Sequence, residues 1–228
     1  MTLAVAGVDG AKGAWAMAVL TGNVARVELI DDFTQVVEAA DQLELRCVGV
    51  DIPIAFPDTG SRAADAQARA LLGNRRSTLF PTPVVAVLDA VDYRDACRRS
   101  RMVTGKAISK QMWNLLPMVR QVRSAIVQAD PARFVEAHPE STFVQIAGSA
   151  LPSKKTAAGV GRRLAALRPF VSNLDDVLAG APVGCGVDDV LDALAAACSA
   201  QRFVGGHAVV FGEGEGCDSA GHLLRIIA

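Results

Sequence analysis

Aromatic side chains make up only 5% of the 228 residues, which argues against a long platform for stacking unpaired bases. The five cysteines, Cys47, Cys97, Cys185, Cys198 and Cys217, are odd in number, widely scattered and nowhere arranged as Cys-x-x-Cys. That pattern speaks against a zinc site or a disulfide framework and leaves buried thiols in a reducing compartment as the expectation. No apolar run approaches the roughly 18 residues that a spanning helix requires, so no membrane partner is expected. The opening stretch MTLAVAGVDGAKGAW has no basic region and is interrupted by Asp9 and Lys12, unlike a signal peptide. The expected location is therefore the cytoplasm. Neither sign of charge dominates, the formal net being −1. What is present is core material: 51% hydrophobic residues against 21% charged, with 20 Gly and 10 Pro. Such a balance excludes disorder and fibrous repeats, and the length suits one large α/β domain or one domain carrying an insertion.

The near-zero net charge conceals an asymmetry. Residues 1–59 carry 3 Lys/Arg against 9 Asp/Glu, residues 60–133 carry 13 against 5, and residues 134–228 carry 7 against 10. A basic middle between acidic ends suits a polyanion groove beside a carboxylate cluster, and solvated Arg-rich helices produce the same count.

Leu3 to Asp9 is an apolar run whose length and Val content predict a buried strand. Trp15 to Leu20 and Val24 to Ile30 follow, divided by the turn residues Thr21-Gly22-Asn23, and complete a three-strand meander. Phe33 to Leu43 has helical spacing, and Cys47 to Asp51 is a second short strand stopped by Pro53. From Pro57 to about Asp130 the pattern turns helical and basic, broken by Phe80-Pro-Thr-Pro83, and reads as an inserted group of helices. Phe134 to His138 predicts another strand. Helical stretches follow at 162–168 and 174–179, and a strong terminal helix at Val187 to Phe203. Ala208 to Phe211 and Leu223 to Ile227 are short enough for edge strands. The one internal repetition is the tripeptide Gly-Val-Asp at 7–9, 49–51 and 186–188.

Asp9 and Asp51 each end a buried strand, and ligands of open α/β sheets gather outside the carboxyl ends of strands. If the two strands are parallel neighbours, the carboxylates face each other. Their repulsion then calls for a cation, and hard oxygen donors select Mg²⁺ or Mn²⁺. In the terminal helix, Val187, Val190, Leu191, Leu194 and Cys198 form one stripe, while Asp188, Asp189 and Asp192 lie opposite. That acidic face is either solvated or a source of a third metal ligand. His138-Pro-Glu140 follows a strand, so Glu140 is a further candidate ligand and His138 a candidate proton-transfer group. The segment from Gly148 to Thr156 is not a phosphate-binding loop, because Ser153 stands where the second Gly belongs and no strand precedes it. Lys154 and Lys155 remain candidates for a phosphate contact.

The ordered succession Gly7-Val-Asp9-Gly-x-Lys12-Gly-x-Trp15, Asp51-Ile-Pro-Ile54, Arg62-x-x-Asp65-x-x-x-Arg69, Gly105-Lys106-x-Ile-Ser109-x-Gln111-x-Trp113, His138-Pro-Glu140, Ser153-Lys-Lys-Thr156 and Asp188-Asp-x-x-Asp192-Ala resembles the family catalogued as domain of unknown function 429. That family is regarded as RNase H-like and predicted to be a nuclease. The resemblance runs from about residue 5 to residue 204, with Ala55 where the family usually has Gly and Ala11 where it often has Cys. It implies a single RNase H-like α/β domain over 1–228, with a mixed five-stranded sheet flanked by helices and a basic helical insertion, 57–130, after the fourth strand. It implies a site of Asp9, Asp51 and Asp189 or Asp192, the last pair resembling the corresponding helix of Holliday-junction resolvases. Asp189 is the preferred ligand because it lies nearer the helix start.

The function expected on these grounds is metal-dependent phosphodiester hydrolysis of nucleic acid by two Mg²⁺ or Mn²⁺ ions about 3.5–4 Å apart. Arg62, Arg69, Lys106 and Lys110 are the candidates for a phosphate track. A nucleotide hydrolase or phosphotransferase related to actin-like ATPases is the alternative, although that class needs two such domains. A catalytically silent nucleic-acid- or protein-binding module is a third reading. A homodimer is compatible with all of them.

Overall fold

The computed structural model describes residues 3–127, 129–130 and 132–228. The chain opens with the expected meander of β1 (Ala4–Ala11), β2 (Ala14–Thr21) and β3 (Val24–Ile30), each antiparallel to the next. The β1–β2 connection is two residues long, Lys12 and Gly13, both at positive φ. This is the geometry that lets a tight hairpin follow the twist of its strands. Helix α1 (Phe33–Gln42) is capped by Asp32, which accepts the Thr34 N–H, and leads to β4 (Val48–Val50). β4 lies parallel to β1 with Gly7 opposite Gly49. The next strand, β5 (Phe134–Glu136), is parallel to β4 and closes a mixed five-stranded sheet of order β3-β2-β1-β4-β5.

Between β4 and β5 the chain forms α2 (Ala63–Leu72), two 3₁₀ turns at Gly73–Thr78 and Val85–Asp89, α3 (Tyr93–Thr104) and α4 (Lys110–Ile126). The Pro-rich Phe80–Pro83 stretch separates the two turns, as missing N–H groups and fixed φ require. After β5 come α5 (Pro139–Ala147), α6 (Ala157–Leu167), α7 (Leu174–Ala179) and α8 (Val187–Val204). Sheet order and helical flanks are those of an RNase H-like α/β fold.

Strand alternation divides the core. Val8, Trp15, Met17 and Val50 face α1 and α4, whose Phe33, Val36, Met112, Leu116 and Val119 pack on them. Trp15 is buried with its indole N–H donated to Gln121, satisfying the one polar atom of that ring. On the opposite face Val5, Ala16 and Ala18 meet α8 and, through it, α5, α6 and α7. Helix α8 lies with its backbone almost on the sheet. A Cβ on Gly7 would come within 2.1 Å of the Ala193 carbonyl oxygen and the Ala197 nitrogen, and one on Gly49 within 2.6 Å of the Ala196 carbonyl oxygen. Glycine in both strands and alanine along the helix are therefore a matched set, which explains why Gly-Val-Asp recurs at 7–9 and 49–51.

Two expectations about elements need correction. Helix α5 follows the expected strand Phe134–His138, where the sequence reading has Pro139 closing the strand and no helix after it; Pro139 at its first turn and Gly148 in the left-handed region after it are its start and stop signals. Helix α6 begins at Ala157, capped by Thr156, rather than at 162. The last two short strands, β6 (Val210–Phe211) and β7 (Ile226–Ile227), pair with each other. They meet β5 only through an isolated bridge from Ala137 to Ile227.

Candidate metal centre

Asp9 lies on β1 and Asp51 immediately follows β4, whose parallel register sets them side by side at the carboxyl ends of neighbouring strands. With period 2 along a strand, Gly7 and Asp9 share a face, as do Gly49 and Asp51. The glycines admit α8 to that face. The residue before Ala193, whose carbonyl rests against Gly7, is Asp192. One oxygen from each of Asp9, Asp51 and Asp192 lies within 4.8 Å of the others. The helix is thus lowered onto the strands at the point where its carboxylate completes the cluster.

Asp192, not Asp189, is the helix residue brought to the strand ends. The Asp189 carboxylate turns back to accept the Gly186 N–H at 2.8 Å, a cap of the helix start. The division of α8 into an apolar stripe and a wet acidic face also fails, because every residue from Val190 to Ala200 is buried, Asp192 included at 3% exposure. Periodicity distinguishes two faces of a helix, whereas a helix covered on nearly all sides buries whichever polar residue has a partner there.

Burial raises the pKa of Asp9 well above the ordinary carboxylate value, and Asp51 and Asp192 add repulsion to it. Asp51 is raised for the same reasons, burial first and then Asp192. Asp192 is pushed up to about 6 by burial, although Lys154 opposes the shift. The Lys154 Nζ stands 2.5 Å from Asp192 Oδ2 and 3.8 Å from an Asp188 oxygen. Asp9 Oδ1 accepts the Gly10 N–H at 2.7 Å. Asp192 Oδ1 is buried and has no hydrogen-bond partner. An orphaned carboxylate oxygen among three close carboxylates is costly in a protein alone and is what a hard divalent cation needs from its donors. The residues present fit Mg²⁺ or Mn²⁺.

The cluster forms part of the wall of a cavity of about 580 Å³, within the range for small-ligand sites. Met112, Leu115 and Met118 of α4 supply an apolar wall, and Arg75, Lys154 and Lys155 supply cationic groups. Sequence reading missed Arg75 and the α4 wall, since nothing in their spacing indicates that the inserted helices reach back over the strand ends.

Other candidates are placed differently. Glu140 faces the cavity but is engaged by Arg163 at 2.6 Å and Arg75 at 3.2 Å. His138 caps α5 by accepting the Ser141 N–H at its Nδ1. Burial lowers its pKa to about 4, so the ring is neutral at pH 7. Arg62 cannot serve a phosphate track: it is 1% exposed and its guanidinium is held by Asp65 and Glu136 at 2.5 and 2.6 Å. Arg69 donates to the Arg76 and Leu79 carbonyls. The exposed Lys106 and Lys110 flank the start of α4, where Lys110 sits 4.6 Å from the Tyr93 ring centroid.

Much of the basic insertion is likewise committed. Arg98 and Arg99 hold Asp95, Arg123 holds Asp218, and Arg120 donates to the Leu88 and Ala90 carbonyls. Among the described residues, Arg76, Arg94, Arg101 and Lys106 make no ion pair and leave their charge to solvent.

A family model described as Protein of unknown function (DUF429) matches residues 7–215, a span that holds the whole five-stranded sheet but for the first residues of β1, the insertion and α8. No curated protein and no solved structure matches the chain.

Proposed function

We propose that this chain, which belongs to the DUF429 family of proteins of unknown function, is a metal-dependent phosphodiesterase acting on nucleic acid. The observation that carries the reading is the convergence of Asp9, Asp51 and Asp192 within 4.8 Å in the wall of a cavity, with Asp192 Oδ1 unpartnered. These three residues would hold Mg²⁺ or Mn²⁺, and the family resemblance implies as many as two ions. When bound, such an ion polarises a phosphoryl oxygen and lowers the pKa of water.

The chain's own groups supply the rest. The Gly10 N–H and the β1–β4 pairing orient Asp9 and Asp51, so the donors are placed before any ligand arrives. Lys154, Lys155 and Arg75 put positive charge around the cavity to receive a phosphate. The α4 wall of Leu115 and Met118 offers apolar contact to the nucleoside beside it. His138 takes no proton at neutral pH and holds the start of α5 beneath Glu140. The unpaired cations of the insertion, Arg76, Arg94, Arg101 and Lys106, provide the long-range attraction for a polyanion.

The test is Mn²⁺-dependent cleavage of duplex, hybrid, branched and single-stranded substrates by the wild type and by Asp192→Asn. Cleavage by the wild type with a loss of orders of magnitude in the variant is expected. Absence of cleavage from every substrate, or equal rates in both proteins, overturns the proposal. Binding should also weaken with salt by about 0.9 in log K per log[salt] for each duplex phosphate neutralised; affinity independent of salt removes nucleic acid as the partner.

A further inference from the structure

We infer that Lys154 is a built-in cation of the carboxylate cluster, so that the site takes one divalent ion and not the two that the family resemblance implies. The inference rests on the reading of Asp9, Asp51 and Asp192 as a divalent-cation site. Three carboxylates and one ammonium leave a net charge of −2, which one divalent ion neutralises. A second ion would leave the cluster at +2. Among the described residues no other nearby acid is free to balance that excess: Glu140 is held by Arg163 and Arg75, Glu136 by Arg62, and Asp189 by the Gly186 N–H. Asp188, 3.8 Å from Lys154, is half-exposed and screened by water.

The position of Lys154 is built rather than adventitious. Its ammonium lies 2.5 Å from Asp192 Oδ2, on the one carboxylate whose other oxygen is orphaned. The loop that carries Lys154 is held from beneath. Arg163, fully buried, donates to the Pro152 carbonyl at 2.9 Å and to Glu140 at 2.6 Å. The Thr156 hydroxyl donates to the Ser153 carbonyl at 2.8 Å, and a Cβ on Gly159 would meet that same carbonyl oxygen at 1.9 Å. With its backbone braced against α6 in this way, the loop presents Lys154 as a fixed charge beside the cluster. A fixed ammonium can stabilise charge on a phosphate as an ion does, without the entropy cost of ordering a mobile side chain.

The experiment counts Mn²⁺ bound per chain at saturation, by native mass spectrometry and by titration calorimetry, for the wild type, Lys154→Ala and Lys154→Arg. One ion is expected in the wild type and in Lys154→Arg, and two in Lys154→Ala, where a second ion leaves +1 rather than +2 and takes the place of the ammonium beside Asp192. Any other set of counts overturns the inference. Lys154→Gln serves as a second neutral variant with the same expected count of two, and thermal melts of each protein show that the counts refer to folded chains. These counts and cleavage fail separately. The expected counts without cleavage of any nucleic acid keep Lys154 as the second cation and remove the phosphodiesterase reading. Two ions in a wild type that does cleave do the reverse.

Discussion

Two groups of charges sit at adjacent strand ends, and they are completed in opposite ways. Around Arg62, all three guanidinium nitrogens are used: Nε and Nη2 on Asp65, Nη1 on the Ala55 carbonyl and Glu136, and Nη2 again on Glu136. The carboxylates there are closed too, since Glu136 also accepts the Ile54 N–H and Asp65 the Thr82 N–H. Around Asp9, Asp51 and Asp192 a single lysine pairs with one of the three acids, Asp192, whose other, buried oxygen has no partner among the described residues. The Arg62 group is buried throughout, whereas Asp9 and Asp51 are only partly buried and line the cavity, so a ligand can reach the second group and not the first. A group closed by its own side chains fixes the inserted α2 to the edge of the sheet, whereas one left short of positive charge is ready for a ligand that supplies it.

The comparison breaks most severely at the closed group. Arg62→Met should cost about 3–5 kcal/mol, because Asp65 and Glu136 then remain buried without a counter-charge. Urea denaturation measures it, and a loss comparable to that of a surface arginine would show that water enters the network. The next effect is steric. Gly7→Ala should destabilise by about 1–3 kcal/mol through overpacking against α8 and should weaken Mn²⁺ binding as well, since moving α8 moves Asp192. Retention of full Mn²⁺ affinity in a destabilised Gly7→Ala would separate the helix approach from the site.

A smaller effect is readable with pH. Because the folded-state pKa of Asp192 is about 6 against an ordinary 3.8, the metal-free native state holds the extra proton. Its contribution to stability is full below the ordinary value and is lost as pH rises through about 6; the raised Asp9 and Asp51 act in the same direction. His138, lowered to about 4, works in the other direction and destabilises as pH falls below its ordinary 6.5. Comparing melts in Mn²⁺ and in EDTA at each pH cancels the His138 contribution. The Mn²⁺-induced rise in Tm should therefore grow as pH rises through about 6. A rise independent of pH would place the ion elsewhere. The smallest effect is expected at the acid one turn from Asp192: Asp189→Ala should cost only about 0.3–1 kcal/mol and leave Mn²⁺ affinity unchanged, by denaturation and calorimetry respectively.

The same contrast marks how far sequence alone reaches. Asp9 and Asp51 were legible because each ends an apolar run and the strand order makes their strands neighbours. The meander, α1, β4, β5 and α8 followed from period 2 and period 3.6 with turn residues between them. The choice between Asp189 and Asp192 was not legible, since it depends on how closely α8 approaches Gly7 and Gly49, and that is a property of backbone contact between segments far apart in the chain. Arg62 was misread for a similar reason. Its partner Glu136 is 74 residues away, so a local count of positive charge assigns to solvent a guanidinium that the fold uses internally. Helix α5 is not legible because Pro139 serves equally as the stop of a strand and as the first turn of a helix, here one capped by His138.

The account rests on the open cluster being a divalent-cation site, and titration calorimetry with Mn²⁺ on the wild type and on Asp9→Asn tests that most directly. Saturable binding in the wild type and its loss in a variant that melts no lower than the metal-free wild type is the result predicted, because one fewer buried carboxylate relieves repulsion. Equal affinity in the two proteins would contradict it.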